Sequence, residues 1–248
     1  MKFTSRIITS QTTDLTDLNF SEGEVILLDK PAGPTSFQIV SKIRKITGVK
    51  KVGHSGTLDP LASGLMIVCT GKKTKEMDFF INHDKTYSGV IRLGLKSPSM
   101  DSETELTEVP LPDDLDEQMI CKARDKFIGE IEQIPPMYSA LKVKGKKLYN
   151  LARKGKTVER KPRRIFIKNF DMEEINIPDI HFNITCSKGT YIRVIADDFG
   201  KQLNTGGVLV SLRREKIGEY DVKNALSIDQ FVSQITNSVH FNNNYSKH

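Results

Sequence analysis

Twelve consecutive residues constrain this chain more than any other stretch: Gly53-His54-Ser55-Gly56-Thr57-Leu58-Asp59-Pro60-Leu61-Ala62-Ser63-Gly64. Three glycines, a proline and no apolar run make an ordered loop rather than a helix or strand. Glycine admits positive φ and close approach of another backbone. Pro60 pushes Asp59 towards an extended conformation. One carboxylate is thus held in a stiff loop beside a histidine and two hydroxyls. A basic, helix-like segment precedes the loop, and Leu65-Met66-Ile67-Val68-Cys69 after it reads as a buried strand. A reactive group on a loop clamped by rigid elements is the usual construction of a site. The alternative is a tight turn in which Asp59 satisfies only local backbone groups.

The rest of the chain reads in order. Residues 24–29 form a short apolar run expected to be a buried strand. Lys30-Pro31-Ala32-Gly33-Pro34-Thr35-Ser36 is a rigid turn with Thr35 or Ser36 placed to cap the next helix. Ile39, Ile43 and Ile46 give Phe37 to Thr47 helical spacing, closed by Gly48. Lys85 to Gly94 alternates as a half-buried strand that carries Tyr87, for which a place in the core is the alternative to a functional one. Ser97 to Pro112 is acidic and reads as a mobile surface loop. A helix is expected within Asp113 to Phe127, and another, basic one between Gly145 and Gly155. Residues 164–171 and 180–187 are strand-like. An amphipathic helix follows Ser187-Lys188-Gly189-Thr190-Tyr191-Ile192-Arg193, and its Asp197 and Asp198 read as helix-surface charges. Val208 to Leu212 is a strand running into Arg213-Arg214. A short helix over Ile228 to Ile235 leads into a tail, 236–248, expected to be disordered.

Charge points to the partner. The 248-residue chain carries +6, yet residues 142–164 alone hold 11 Lys or Arg against Glu159, which leaves −4 elsewhere. A concentrated basic stripe is the footprint of a phosphate-backbone partner, with a solvated face as the alternative. Tyr138 and Tyr149 are interleaved with it and could stack on bases or anchor the segment. Cys69, Cys121 and Cys186 lack metal-ligand spacing, so a reduced compartment and no zinc site are expected. No apolar stretch spans a membrane, and residues 1–23 lack a secretory core, so they read as an N-terminal arm of a cytoplasmic protein.

The Asp59 loop resembles the signature GHxGTLDPxAxGxL of the TruB family of tRNA pseudouridine synthases, nearly complete over its length. Further matches follow in the family's order: KPxGxTS at Lys30, IPxxYSAxKxxGxxxY at Ile134, CSKGTYIR at Cys186 and LRR at Leu212. Together they cover about residues 24–214. The resemblance implies an α+β fold, a mixed and mostly antiparallel sheet flanked by helices. Residues 24–235 would form the catalytic domain, with an RNA-binding thumb inserted at about 136–164. Only 34 residues follow Arg214, too few for the C-terminal PUA domain many members carry, so a form without it is expected.

By the same resemblance the chain isomerises uridine-55 in the T loop of tRNA, without a cofactor and as a monomer with no obligate protein partner. Asp59 is then the nucleophile, acting at the sugar carbon or the pyrimidine ring. Arg193 pairs with that carboxylate, and Tyr87 stacks on the base and assists proton transfer. Tyr191 and Leu212 line the base pocket. His54 braces the space left by a flipped base, or is simply a satisfied loop histidine. Lys30 steadies the loop or a phosphate. Two other classes compete. A tRNA-binding folding factor in which catalysis is secondary is disfavoured only by the complete set of catalytic positions. An RNA methyltransferase would need a glycine-rich cofactor loop after a strand, which this sequence does not show.

Overall fold

The computed structural model describes residues 6–245 apart from 14, 16 and 144, with side chains described through residue 236 except those of Lys142 and Lys147. The chain divides into two compact units, Met1–Lys85 with Arg213–His248, and Thr86–Leu212.

The first unit is built on the strand Val25–Lys30. Ala62–Thr70 runs antiparallel to it, from Val25 opposite Cys69 to Lys30 opposite Gly64. Two short parallel strands share its other edge, Ile7–Ile8 beside Val25 and Ile26, and Leu226–Ser227 beside Leu28 and Asp29. Val52–His54 pairs antiparallel with the far end of Ala62–Thr70. Both faces of this sheet are covered, so its strands read as unbroken apolar runs. Ile26, Leu28, Met66 and Val68 pack on Ile39, Val40 and Ile43 of the helix Ser36–Thr47, and on Phe231 and Ile235. Val25, Leu27, Leu65 and Ile67 face the other way, onto Met77, Phe80, Ile217 and Val222. Each such side chain contributes about 1.5–3 kcal/mol on burial.

The helix Ser36–Thr47 starts on a capping box. Gln38 N donates to Thr35 Oγ1 at 3.1 Å, and Thr35 N donates to Gln38 Oε1 at 2.7 Å. It stops at Gly48, whose φ of +69° is the left-handed cap expected of glycine.

In the second unit the strands lie in the order Gly207–Ile217 (through Leu212), Lys85–Leu93, Asp179–Cys186, Arg163–Asn176, Gly129–Gln133. The last three are antiparallel neighbours. Ile180, Phe182, Ile184 and Cys186 alternate inwards. The helix Ile192–Gln202 docks on them through Phe199, which joins Phe127, Phe170 and Phe182 in tilted and edge-on ring contacts of 5.8–6.3 Å. The helix Glu117–Asp125 is capped by Asp116, whose Oδ1 accepts from Met119 N at 2.7 Å. The architecture is the expected one: α+β, with a mixed, mostly antiparallel sheet flanked by helices.

One local expectation gains detail and three change. Within the N-terminal arm, Ile7–Ile8 adds to the sheet and Ile8 is buried among its apolar side chains. The segment 97–112 is not simply a surface loop. Leu95–Lys96 pairs with Thr107–Glu108, and Ser99 and Asp101 between them are fully buried. A buried carboxylate demands a partner, which sequence spacing did not reveal. In the basic insertion, Lys142–Val143 pairs with Lys146–Lys147, and the helix shrinks to Leu148–Ala152. Gly145, at φ +78°, makes the hairpin turn rather than a helix start. The last helix runs Ile228–Tyr245 instead of ending at Ile235, since an established helix extends cheaply through weak formers such as Asn. The end of the tail, 246–248, lies outside the described residues.

Candidate active site

In the first unit the Asp59 loop is tied down on each side by backbone groups. Ser36 Oγ donates to the Leu58 carbonyl and accepts from Leu58 N, both at 2.9 Å. The carbonyl of Pro60 accepts from Gly33 N at 2.8 Å, and that of Asp59 from Ala62 N at 3.0 Å. Ser55 closes the other end, donating its N–H to the Ile67 carbonyl at 2.9 Å and accepting from Ile67 N at 3.1 Å. The loop is therefore as fixed as the strands that flank it, and Asp59 stands half-exposed on it.

Two cations lie beneath. Lys30 has no exposed surface and donates to the carbonyls of Ala62 at 2.6 Å and Pro31 at 2.9 Å. Burial pushes its ammonium down to about 8; the charge of Asp59 opposes that shift and the charge of Arg214 adds to it. These bonds tie Lys30 to backbone at both ends of its turn and loop. Arg214 is 1% exposed, with Nε donating to the Leu65 carbonyl at 2.6 Å and Nη2 to the Gly56 carbonyl at 3.2 Å. Its strand comes so close that a Cβ on Gly64 would lie 2.3 Å from the Arg214 carbonyl oxygen. Arg213 turns the other way and grips Asp29 with two bonds of 2.7 and 3.1 Å.

His54 ends its strand half-buried, and its Nδ1 accepts from Gly56 N at 3.3 Å. Burial lowers its pKa, and the nearby Arg214 lowers it further, so the ring is neutral at neutral pH.

The second unit holds the remaining candidates. Arg193, in the first turn of its helix and 4% exposed, donates from Nη1 to Asp101 Oδ2 at 3.0 Å. Asp101 has no exposed surface, and its Oδ1 also accepts from Glu103 N at 3.0 Å. Tyr191 immediately precedes the helix, and Gln133 clamps its backbone: Tyr191 N donates to Oε1 at 2.8 Å, while Nε2 donates to the Tyr191 carbonyl at 3.1 Å. The guanidiniums of Arg193 and Arg163 each lie 5.9 Å from the Tyr191 ring centre. Tyr87 is buried on Lys85–Leu93, and Leu212 is half-buried on Gly207–Ile217. Asp197 and Asp198 both pair with Lys201, but only Asp198 is at the helix surface as expected; Asp197 is buried.

Asp59, His54 and Lys30 therefore belong to the first unit, and Tyr87, Tyr191, Arg193 and Leu212 to the second. Sequence reasoning took Ser36 only as a candidate helix cap and assigned no roles to Asp101, Gln133 or Arg214. Arg214 had a signal, the Leu212-Arg213-Arg214 motif. Asp101 and Gln133 had none, because each meets its partner across a long stretch of chain. Among the described residues no group of three or more His, Cys, Asp or Glu could hold a metal ion, and no helix is long and apolar enough to cross a membrane.

Comparison with known proteins gives this geometry a lineage. Residues 44–192 match the TruB family pseudouridylate synthase (N terminal domain). A Phocaeicola vulgatus protein named tRNA pseudouridine synthase B is 46% identical over 220 residues, 86% of this chain and 94% of that one. The protein of the same name from Chlorobaculum tepidum is 50% identical over 223 residues, 87% of this chain and 92% of that one. Among solved structures, a chain of the "Crystal Structure of a Cbf5-Nop10-Gar1 Complex" is similar with a TM-score of 0.65 and 29% identity over 86% of this chain. The present chain spans about half of that chain's length, 54%. On these grounds the chain belongs to the TruB family of pseudouridylate synthases.

Proposed function

We propose that the protein converts uridine-55 in the T loop of tRNA to pseudouridine. The observation that carries this reading is the immobilised Asp59 loop, braced by Ser36, Lys30 and Arg214, in a chain of this family. Both relatives described above bear the name tRNA pseudouridine synthase B.

The reaction is an isomerisation. The glycosidic N1–C1′ bond breaks, the uracil turns, C5 bonds to C1′, and the C5 proton is lost as N1 regains one. Substrate and product have the same atoms, so no co-reactant is required. Asp59 supplies the nucleophilic carboxylate, at C1′ or at the pyrimidine ring. A stiff loop suits this role, because a carboxylate held in near-attack geometry need not be ordered at each turnover. Lys30 and Arg214 anchor the loop carbonyls. The Asp101 carboxylate fixes the Arg193 guanidinium, which pairs with the Asp59 carboxylate in this reading. Tyr87 stacks on the base and assists the C5 proton transfer, while Tyr191 and Leu212 line its pocket. The uridine is flipped out of the T loop to react, and neutral His54 braces the vacated space.

The test is direct. Purified protein is incubated with an unmodified tRNA transcript, and pseudouridine is mapped at single-nucleotide resolution with Asp59→Asn alongside. Pseudouridine at position 55 from the wild type alone is expected. Modification elsewhere would overturn the site, and an active Asp59→Asn would overturn the nucleophile.

A further inference from the structure

The first unit carries a second cationic surface that the charge of the whole chain conceals. From Lys30 to Leu58 there are six Lys or Arg and no Asp or Glu. Lys30 is buried, and Arg44 gives Nη2 to the Val52 carbonyl at 3.2 Å. Lys42, Lys45, Lys50 and Lys51 remain exposed. Phe37 stands among them, 69% exposed.

Helical geometry aligns these groups. Phe37, Ser41 and Lys45 follow one another at four-residue spacing, and Gln38 and Lys42 lie on the adjoining row. The chain position of Phe37 also adjoins the reaction loop. Phe37 follows Ser36, Ser36 holds Leu58 by two hydrogen bonds, and Leu58 precedes Asp59.

A lone exposed apolar residue needs no explanation by itself. Phe37 differs through its surroundings. A predominantly basic face repels a second copy of this basic chain and attracts a polyanion. Two carboxylates border this helix's flank: Asp229, 3.4 Å from Lys42, and Asp29, which Arg213 holds. An aromatic ring within a row of lysines is the construction that holds single-stranded nucleic acid, the ring stacking on a base and the lysines following phosphates.

We propose that Phe37 is a stacking platform for an unpaired base of the RNA substrate, with Lys45 and Lys42 on the neighbouring phosphates. This rests on the function proposed above and adds a positioning residue to it. Stacking there would hold the loop of the RNA against the Asp59 loop.

The experiment uses the full chain as wild type, Phe37→Ala and Phe37→Tyr. Affinity for a tRNA transcript and pseudouridine formation are measured, and 2-aminopurine is placed in turn at each unpaired T-loop position. Phe37→Ala is expected to raise Kd and KM about tenfold, the scale of one base–aromatic stack, with a smaller effect on kcat. Phe37→Tyr restores binding. One 2-aminopurine position is quenched on binding by wild type and Phe37→Tyr but not by Phe37→Ala. Unchanged affinity and quenching in Phe37→Ala would overturn the proposal. So would a change confined to the mass measured by light scattering, which would make Phe37 a protein contact. Weak binding that Phe37→Tyr fails to rescue, together with a lowered urea midpoint, would make the residue merely structural. A wild type that shows Phe37-dependent quenching but makes no pseudouridine in tRNA would support the platform and sink the reading of the activity.

Discussion

Arg193 and Asp101 form an ion pair at 3.0 Å with side chains only 5% and 0% exposed, although 92 residues separate them. Such a pair is a poor source of net stability, but removing one partner strands a charge in the interior. Asp101→Ala should therefore cost about 3 kcal/mol or more. Urea unfolding measures the loss, and a cost near zero would show that Arg193 is adequately held without Asp101.

Gly33 and Gly64 share a φ of +106°, but only Gly64 faces another backbone. Gly33→Ala should cost only the strain of that conformation, about 1–3 kcal/mol. Gly64→Ala adds a clash with the Arg214 backbone and should cost more than about 4 kcal/mol, enough to cut the soluble yield. Equal urea midpoints for the two variants would contradict the close approach.

The Lys30 ammonium titrates at about 8 in the folded chain and near its ordinary 10.5 when unfolded. Between those values the unfolded state binds more protons, so stability rises with pH across that window. Below it, charging the buried amine is a standing cost. In Lys30→Met the rise should vanish, as read from urea midpoints on either side of the window.

Lys146, Lys154 and Lys156 line an open hollow of about 760 Å³ with Tyr149, over which Arg153 also lies. If this insertion grips tRNA, reversing the three lysines to Glu should lower the slope of log affinity against log salt by about 2–3. An unchanged slope would remove the insertion from the RNA interface.

What a local stretch encodes was legible without the fold. The apolar runs at Val25 and Leu65 became sheet strands buried on both faces. Thr35 and Gly48 bound their helix as capping chemistry requires. Glycines and Pro60 made residues 55–61 a loop, though both ends of the expected loop, residues 53–54 and 62–64, are strand. Long ungapped motifs pointed to the family. These features depend on backbone preferences and side-chain spacing within a few residues. The tertiary structure decided the rest. An acidic segment that looks solvent-seeking buries Asp101, because Arg193 waits for it in the core. Arg214, one of two adjacent arginines, lies under the Asp59 loop, while Arg213 turns to Asp29. Ile7–Ile8 becomes a strand only because Val25–Lys30 offers an open edge. Desolvation and pairing set these outcomes, and both depend on groups far away in sequence, which no local pattern names.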